Sequence, residues 1–168
     1  SSKIENVIII HNTKHKISET IVEKLKKTFS EHNISVDITI AKHKKSISCL
    51  MSYNKPYDLC LIVGGDGTFL SAARCFAERG IPLFGINCGN LGFLSQSTID
   101  EIDKNISKLL KGDYSIEERT MLEAMDNLEV PSFRLTALND MVITRSHNAG
   151  TLLLNVQVDD KKLNNFYG

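Results

Sequence analysis

Gly64-Gly65-Asp66-Gly67-Thr68 follows the apolar run Leu59 to Val63 and precedes Phe69 to Arg79, a stretch rich in alanine and other helix-compatible residues. An apolar run that ends in glycines and passes into a helix reads as a buried strand delivering a loop to a ligand. The glycines let backbone N–H groups approach a phosphate chain, and the helix N-terminus adds a favourable dipole. An aspartate within such a loop is electrostatically wrong for a pure phosphate cradle. It fits a group that takes a proton or works beside a metal ion, which points to phosphoryl transfer onto a hydroxyl.

Two look-alikes are excluded by the residues themselves. No Gly-Lys-Ser/Thr closes the loop, so it is not a P-loop. In the register of the dinucleotide fingerprint, Leu70 stands where the third glycine belongs, and the next strand ends near Asn87 with no acidic residue in the expected place. An ordinary strand-to-helix turn would not need three glycines around a central aspartate.

Around this loop the chain alternates. Val7 to Ile10 reads as a buried strand closed by His11-Asn12, and Ile17, Ile21, Val22, Leu25 and Phe29 recur at helical spacing up to a left-handed stop at Asn33. Val36 to Ala41 is a second strand, Leu59 to Val63 a third, and Ile81 to Asn87 a fourth after a helix ended by Gly80. Ser97-Thr98-Ile99-Asp100 reads as a capping-box start for a helix with Ile99, Ile102, Ile106, Leu109 and Leu110 on one face, stopped by Gly112. This order predicts an α/β fold: a parallel sheet flanked by helices, with its ligand beyond the carboxyl ends of the strands.

After Gly112 the pattern changes. Tyr114 to Asp126, Phe133 to Arg145 and Thr151 to Val158 read as strands without intervening helices, and Asp159-Asp160 as a turn. The expected division is an α/β domain over residues 1–112 and the opening strands of a β-rich second domain over 113–168, incomplete at Gly168.

Composition narrows the setting. Within 168 residues, 20 Lys and Arg balance 20 Asp and Glu, which argues against a nucleic-acid partner. The basic run Lys42-His43-Lys44-Lys45 reads as a solvated segment. Cys49, Cys60, Cys75 and Cys88 form no Cys-x-x-Cys pair, a reduced, cytoplasmic usage with Cys60 as buried filler. No apolar run approaches membrane-spanning length, and Val7 to Ile10 is too short for a signal peptide.

Two more clusters carry chemistry. Gly85-Ile86-Asn87-Cys88-Gly89-Asn90-Leu91-Gly92-Phe93-Leu94 makes another close-approach loop, with Phe93 either a flat surface for an aromatic ligand or a core residue beneath the loop. Asn139-Asp140, inside the apolar context Leu138 to Ile143, suits an adenine edge and ribose hydroxyls, or else a bulge or turn.

Together the three clusters resemble the NAD kinase family, in which a Gly-Gly-Asp-Gly-Thr loop, a Gly-x-Asn-x-Gly-x-Leu-Gly-Phe-Leu loop and an Asn-Glu/Asp strand occur in this order. Arg119-Thr120-Met121-Leu122-Glu123 resembles a further family strand. The resemblance implies a phosphofructokinase-like N-terminal domain, and a kinase that phosphorylates the 2′-hydroxyl of the adenosine ribose of NAD with ATP or polyphosphate. It implies Asp66 as general base, with Gly65, Gly67, Thr68, Phe93, Asn139 and Asp140 on the substrates. Mg²⁺ or another divalent cation would accompany ATP, with no dedicated metal site on the protein. It also implies a cytoplasmic homodimer or homotetramer that binds neither nucleic acid nor membrane, and a chain of this length that is inactive alone. Ser71 departs from the basic residue of many relatives, and Gly150 from a frequent cationic or His position. The Gly-Gly-Asp-Gly-Thr loop alone also resembles that of lipid kinases, and a non-catalytic nucleotide-binding fragment is a further alternative.

Overall fold

The computed structural model describes residues 3–41, 55–89, 92–144, 151 and 153–167. Lys42-His43-Lys44-Lys45, Cys49, Asn90, Leu91, Arg145 and Gly150, all named above, lie outside the described residues.

Strands β1 (Asn6–His11), β2 (Ser35–Ile40), β3 (Leu59–Gly64), β4 (Leu83–Asn87) and β5 (Ser97–Thr98) form one parallel sheet in the order β2-β1-β3-β4-β5. Helices α1 (Ile17–Glu31), α2 (Asp66–Phe76) and α3 (Ile102–Leu110) cover it. The central strands β1 and β3 are apolar on both faces, which is what a doubly covered parallel sheet demands. Strand periodicity divides each run. Val7, Ile9, Leu59, Leu61 and Val63 pack with Ile21, Val22, Leu25 and Phe29 of α1 and with Ile102, Ile106 and Leu109 of α3. Ile8, Ile10, Cys60 and Ile62 face the other way, onto Phe69, Ala72 and Phe76 of α2. Burial pushes the Cys60 thiol up, out of the reactive range, as suits a filler.

The helices sit on opposite faces because the chain turns opposite ways. From β1 it crosses through α1 outward to β2, whereas β3 lies on the other side of β1 and leads through α2 to β4. Right-handed crossovers in opposite directions place their helices on opposite faces. The reversal falls between β1 and β3, so their carboxyl ends part there and open a crevice. Gly64 ends β3 at that point.

The helix stops behave as expected: Asn33, Gly80 and Gly112 all have left-handed backbone. Other readings need correction. Helix α2 begins at Asp66, not Phe69, so the aspartate heads the helix rather than sitting mid-loop. The supposed capping box is a strand: Ser97 and Thr98 pair in parallel with Ile86 and Asn87, and α3 starts only at Ile102 with no side-chain cap. Asn105 Nδ2 donates to the buried Ser97 Oγ, which ties the helix to that short strand.

Beyond Gly112 the strands are antiparallel hairpins. β6 (Leu122–Met125) pairs with β7 (Arg134–Ala137), and β8 (Leu153–Val158) with β9 (Lys161–Tyr167). They are shorter than the runs read from sequence, and 113–121 is irregular. Asp159 and Asp160, both at positive φ, form the two-residue turn of the second hairpin. The end of β7 joins the first body through buried Ala137 and through Leu138, which packs with the α2-side core.

Leu61, fully buried between β1 and β4, is the most direct probe of this core. Leu61→Ala is expected to lower unfolding free energy by about 2–5 kcal/mol, read from urea denaturation at unchanged m-value.

Candidate active site

The parting of β1 and β3 gathers the first cluster. Thr68 is buried, and its Oγ1 accepts from Asn12 Nδ2 at 3.3 Å, so the residue closing β1 meets the first turn of α2. Asn12 Oδ1 in turn accepts from the Lys14 amide at 3.0 Å. Ser71, the departure noted above, donates its hydroxyl to the Gly67 carbonyl at 2.9 Å within α2.

Asp66 joins this cluster to the second. Its Oδ2 accepts from the Phe93 amide at 3.0 Å and its Oδ1 from the Leu94 amide at 3.3 Å. A carboxylate has about four lone-pair sites, so it retains acceptor capacity beyond these two bonds. The close fit explains Gly92: a Cβ there would lie 2.9 Å from Asp66 Cγ and closer still to Oδ1. Gly92 is glycine because of Asp66.

Gly65 and Gly67 have no such explanation. A Cβ at either would meet nothing within 4 Å, and neither has positive φ. The fold does not require glycine at these positions, and the open space beside them is where backbone can meet a ligand.

The second glycine-rich segment runs from β4 to β5. Asn87 is buried and its Oδ1 accepts from the Gly89 amide at 2.9 Å. Phe93 is 98% exposed, so it is not the core residue that one reading allowed; its ring is free. Asn139 and Asp140 lie beyond the end of β7, not inside a strand, and both are exposed. Their apolar sequence context therefore does not bury them.

A cavity of about 220 Å³ brings Asn139 together with Leu70 of α2, Leu94, Arg119, Thr120 and Leu138. Asn139 thus shares a wall with the helix that Asp66 heads and with the loop that Asp66 holds. Phe93 and Asp140 flank these residues in sequence but do not line the cavity. Arg119 and Asn12 were not singled out as site residues. Asn12 carried a usable signal, since a ligand at the strand ends must meet the residue closing β1 as well as the one closing β3. Burial holds the His11 imidazole, immediately before it, below its ordinary range, with Glu19 acting in opposition.

Strand order and loop together define a doubly wound α/β domain with its glycine-rich loop at the switch point. Residues 48–114 match the family described as ATP-NAD kinase N-terminal domain. The chain is 34% identical over 149 residues to NAD kinase of Sulfurimonas denitrificans, covering 87% of this chain and 52% of that protein. It is 33% identical over 158 residues to NAD kinase of Clostridium botulinum, covering 94% and 55%. The crystal structure of yeast NADH kinase complexed with NADH superposes with a TM-score of 0.70 at 18% identity, covering 98% of this chain and 55% of that one, which shows the shared fold. The chain is thus similar to NAD kinases along most of its length, and it spans about half the length of the curated relatives named here.

The two kinds of glycine predict opposite responses. Gly92→Ala must displace Asp66 or the loop and is expected to cost about 1–3 kcal/mol. Gly67→Ala, in open helical space, is expected to be neutral or stabilising by up to about 1 kcal/mol. Parallel urea titrations of the two variants check this.

Proposed function

We propose that this chain carries the reacting loop of a kinase that transfers the γ-phosphoryl group of ATP to the 2′-hydroxyl of the adenosine ribose of NAD. The observation that carries the reading is the pairing of Asp66 with Gly65 and Gly67: an ionisable acceptor with spare lone pairs beside backbone that is bare for no structural reason. The likeness to NAD kinases supplies the substrate class.

In this reading Asp66 accepts the proton of the 2′-hydroxyl as its oxygen attacks the γ-phosphorus. The new O–P bond replaces the bond to ADP, giving NADP and ADP. Gly65 and Gly67 offer backbone N–H groups to phosphate oxygens, and the Thr68 hydroxyl, held by Asn12, sits behind them. Asn139 and Asp140 bind the adenosine, and the exposed Phe93 ring stacks on it. Among the described residues no group of three or more His, Cys, Asp or Glu side chains converges. In this reading the divalent cation, Mg²⁺, sits on the phosphates of ATP, whose charge it offsets.

The reading extends to polyphosphate as an alternative donor, to a cytoplasmic homodimer or homotetramer, and to a division of labour between residues 1–112 and 113–168. Among the described residues no helix is long and apolar enough to cross a membrane.

The test is an assay of the protein at its full natural length with ATP, Mg²⁺ and either NAD or a diacylglycerol, products being separated by chromatography. NADP formation is expected, with no lipid phosphate; the reverse result would move the protein to the lipid kinases. Asp66→Asn is expected to lower kcat by about 10²–10⁴ with NAD affinity little changed. Near wild-type turnover of a folded Asp66→Asn variant would remove the base assignment.

A further inference from the structure

Asp66 is held from one side by the amides of Phe93 and Leu94, but that segment contributes no regular structure of its own. Leu94 packs on the α2-side core, and Gln96 ties the segment to the sheet by hydrogen bonds. The Gln96 backbone N–H donates to the Gly85 carbonyl at 3.0 Å, and its side-chain Oε1 accepts from the Gly85 amide at 2.6 Å. One residue thus takes both backbone groups of Gly85 on β4. The other half of the same amide, Nε2, donates to the Leu94 carbonyl at 2.7 Å.

The orientation of the side-chain amide is dictated by its partners. A backbone N–H can only donate and a carbonyl can only accept, so the flipped amide would lose both bonds. Gly85 permits the approach: a Cβ there would stand 3.2 Å from Ser95 Cα and 2.9 Å from the Phe69 ring. The result is a continuous path from the buried strand β4 through Gln96 to Leu94, and from the Leu94 amide to Asp66 Oδ1.

We propose that Gln96 is a positioning residue for the reaction at Asp66. It anchors the 92–94 segment to the rigid sheet, so that the Phe93 and Leu94 amides hold the carboxylate in one orientation. Gln96 touches no reacting atom; it acts through Leu94. This rests on the reading of Asp66 as the proton acceptor, and it predicts an effect on turnover rather than on nucleotide binding, because Gln96 lies outside both the cavity and the Gly65–Gly67 backbone.

Gln96 is exposed, so its variants should fold, and two substitutions separate its roles. Gln96→Ala removes both side-chain bonds, whereas Gln96→Glu keeps an acceptor for the Gly85 amide and loses the donor to Leu94. Two readouts are taken on the protein at its full natural length. Hydrogen–deuterium exchange, read by mass spectrometry over peptides spanning 92–97, is expected to quicken by about tenfold in both variants, as loss of one or two hydrogen bonds allows, with peptides of β3 unchanged. Steady-state kinetics with NAD and ATP are expected to show kcat lowered by about tenfold in both, with KM for NAD within about twofold of wild type.

Unchanged exchange in the 92–97 peptides would overturn the proposal. So would a Gln96→Glu variant with wild-type kcat, which would reduce Gln96 to a support for β4. If the wild-type protein fails to phosphorylate NAD, the reading of the site falls, while the exchange rates still decide whether Gln96 anchors the segment that holds Asp66.

Discussion

The site depends on one carboxylate and two backbone amides. Asp66 heads the helix that leaves β3, while Phe93 and Leu94 belong to the segment between β4 and β5. Without those bonds the two glycine-rich stretches would be separate surface loops. With them, the acidic group is fixed in space by two elements of the same sheet, and the space beside Gly65 and Gly67 becomes a defined crevice. A negative group at a helix N-terminus that also receives two N–H donors sits in a favourable field.

The sheet makes this geometry possible. Reversal of the winding between β1 and β3 opens the carboxyl ends, and continuous apolar runs on both strands keep them rigid from below. For the proposed reaction, rigidity matters because positioning a reacting pair within a fraction of an ångström governs the rate. Cost is visible at the glycines. Gly92 and Gly85 surrender side chains so that backbone can pass close to Asp66 and to Phe69 and Ser95.

Much of this was legible in the sequence, for physical reasons that differ by element. The runs Val7 to Ile10 and Leu59 to Val63, and the spacing of Ile21, Val22, Leu25 and Phe29, report directly on burial, so β1, β3 and α1 fall where periodicity puts them. Ser97-Thr98 was read as a cap because Ser-Thr-x-Asp chemistry is local, whereas its pairing with Ile86 and Asn87 depends on a strand brought near by the fold. The same limit applies to Asp66. Its residue type announced chemistry, but its hydrogen bonds to residues 93 and 94 and the anchoring by Gln96 exist only after the sheet has formed. Asn139 was found by its oddity in an apolar context, yet it lies exposed past the strand end. Its place beside Leu70 and Leu94 comes from the docking of β7 onto α2.

The most direct measurement is a crystal structure of the full-length protein with bound NAD. The account predicts the adenosine ribose over the Gly65–Gly67 backbone, its 2′-oxygen within about 2.6–3.2 Å of an Asp66 carboxylate oxygen. A nucleotide seated elsewhere, for example in the groove between α1 and α3 lined by Lys24, Leu25, Ile102 and Ile106, would contradict it.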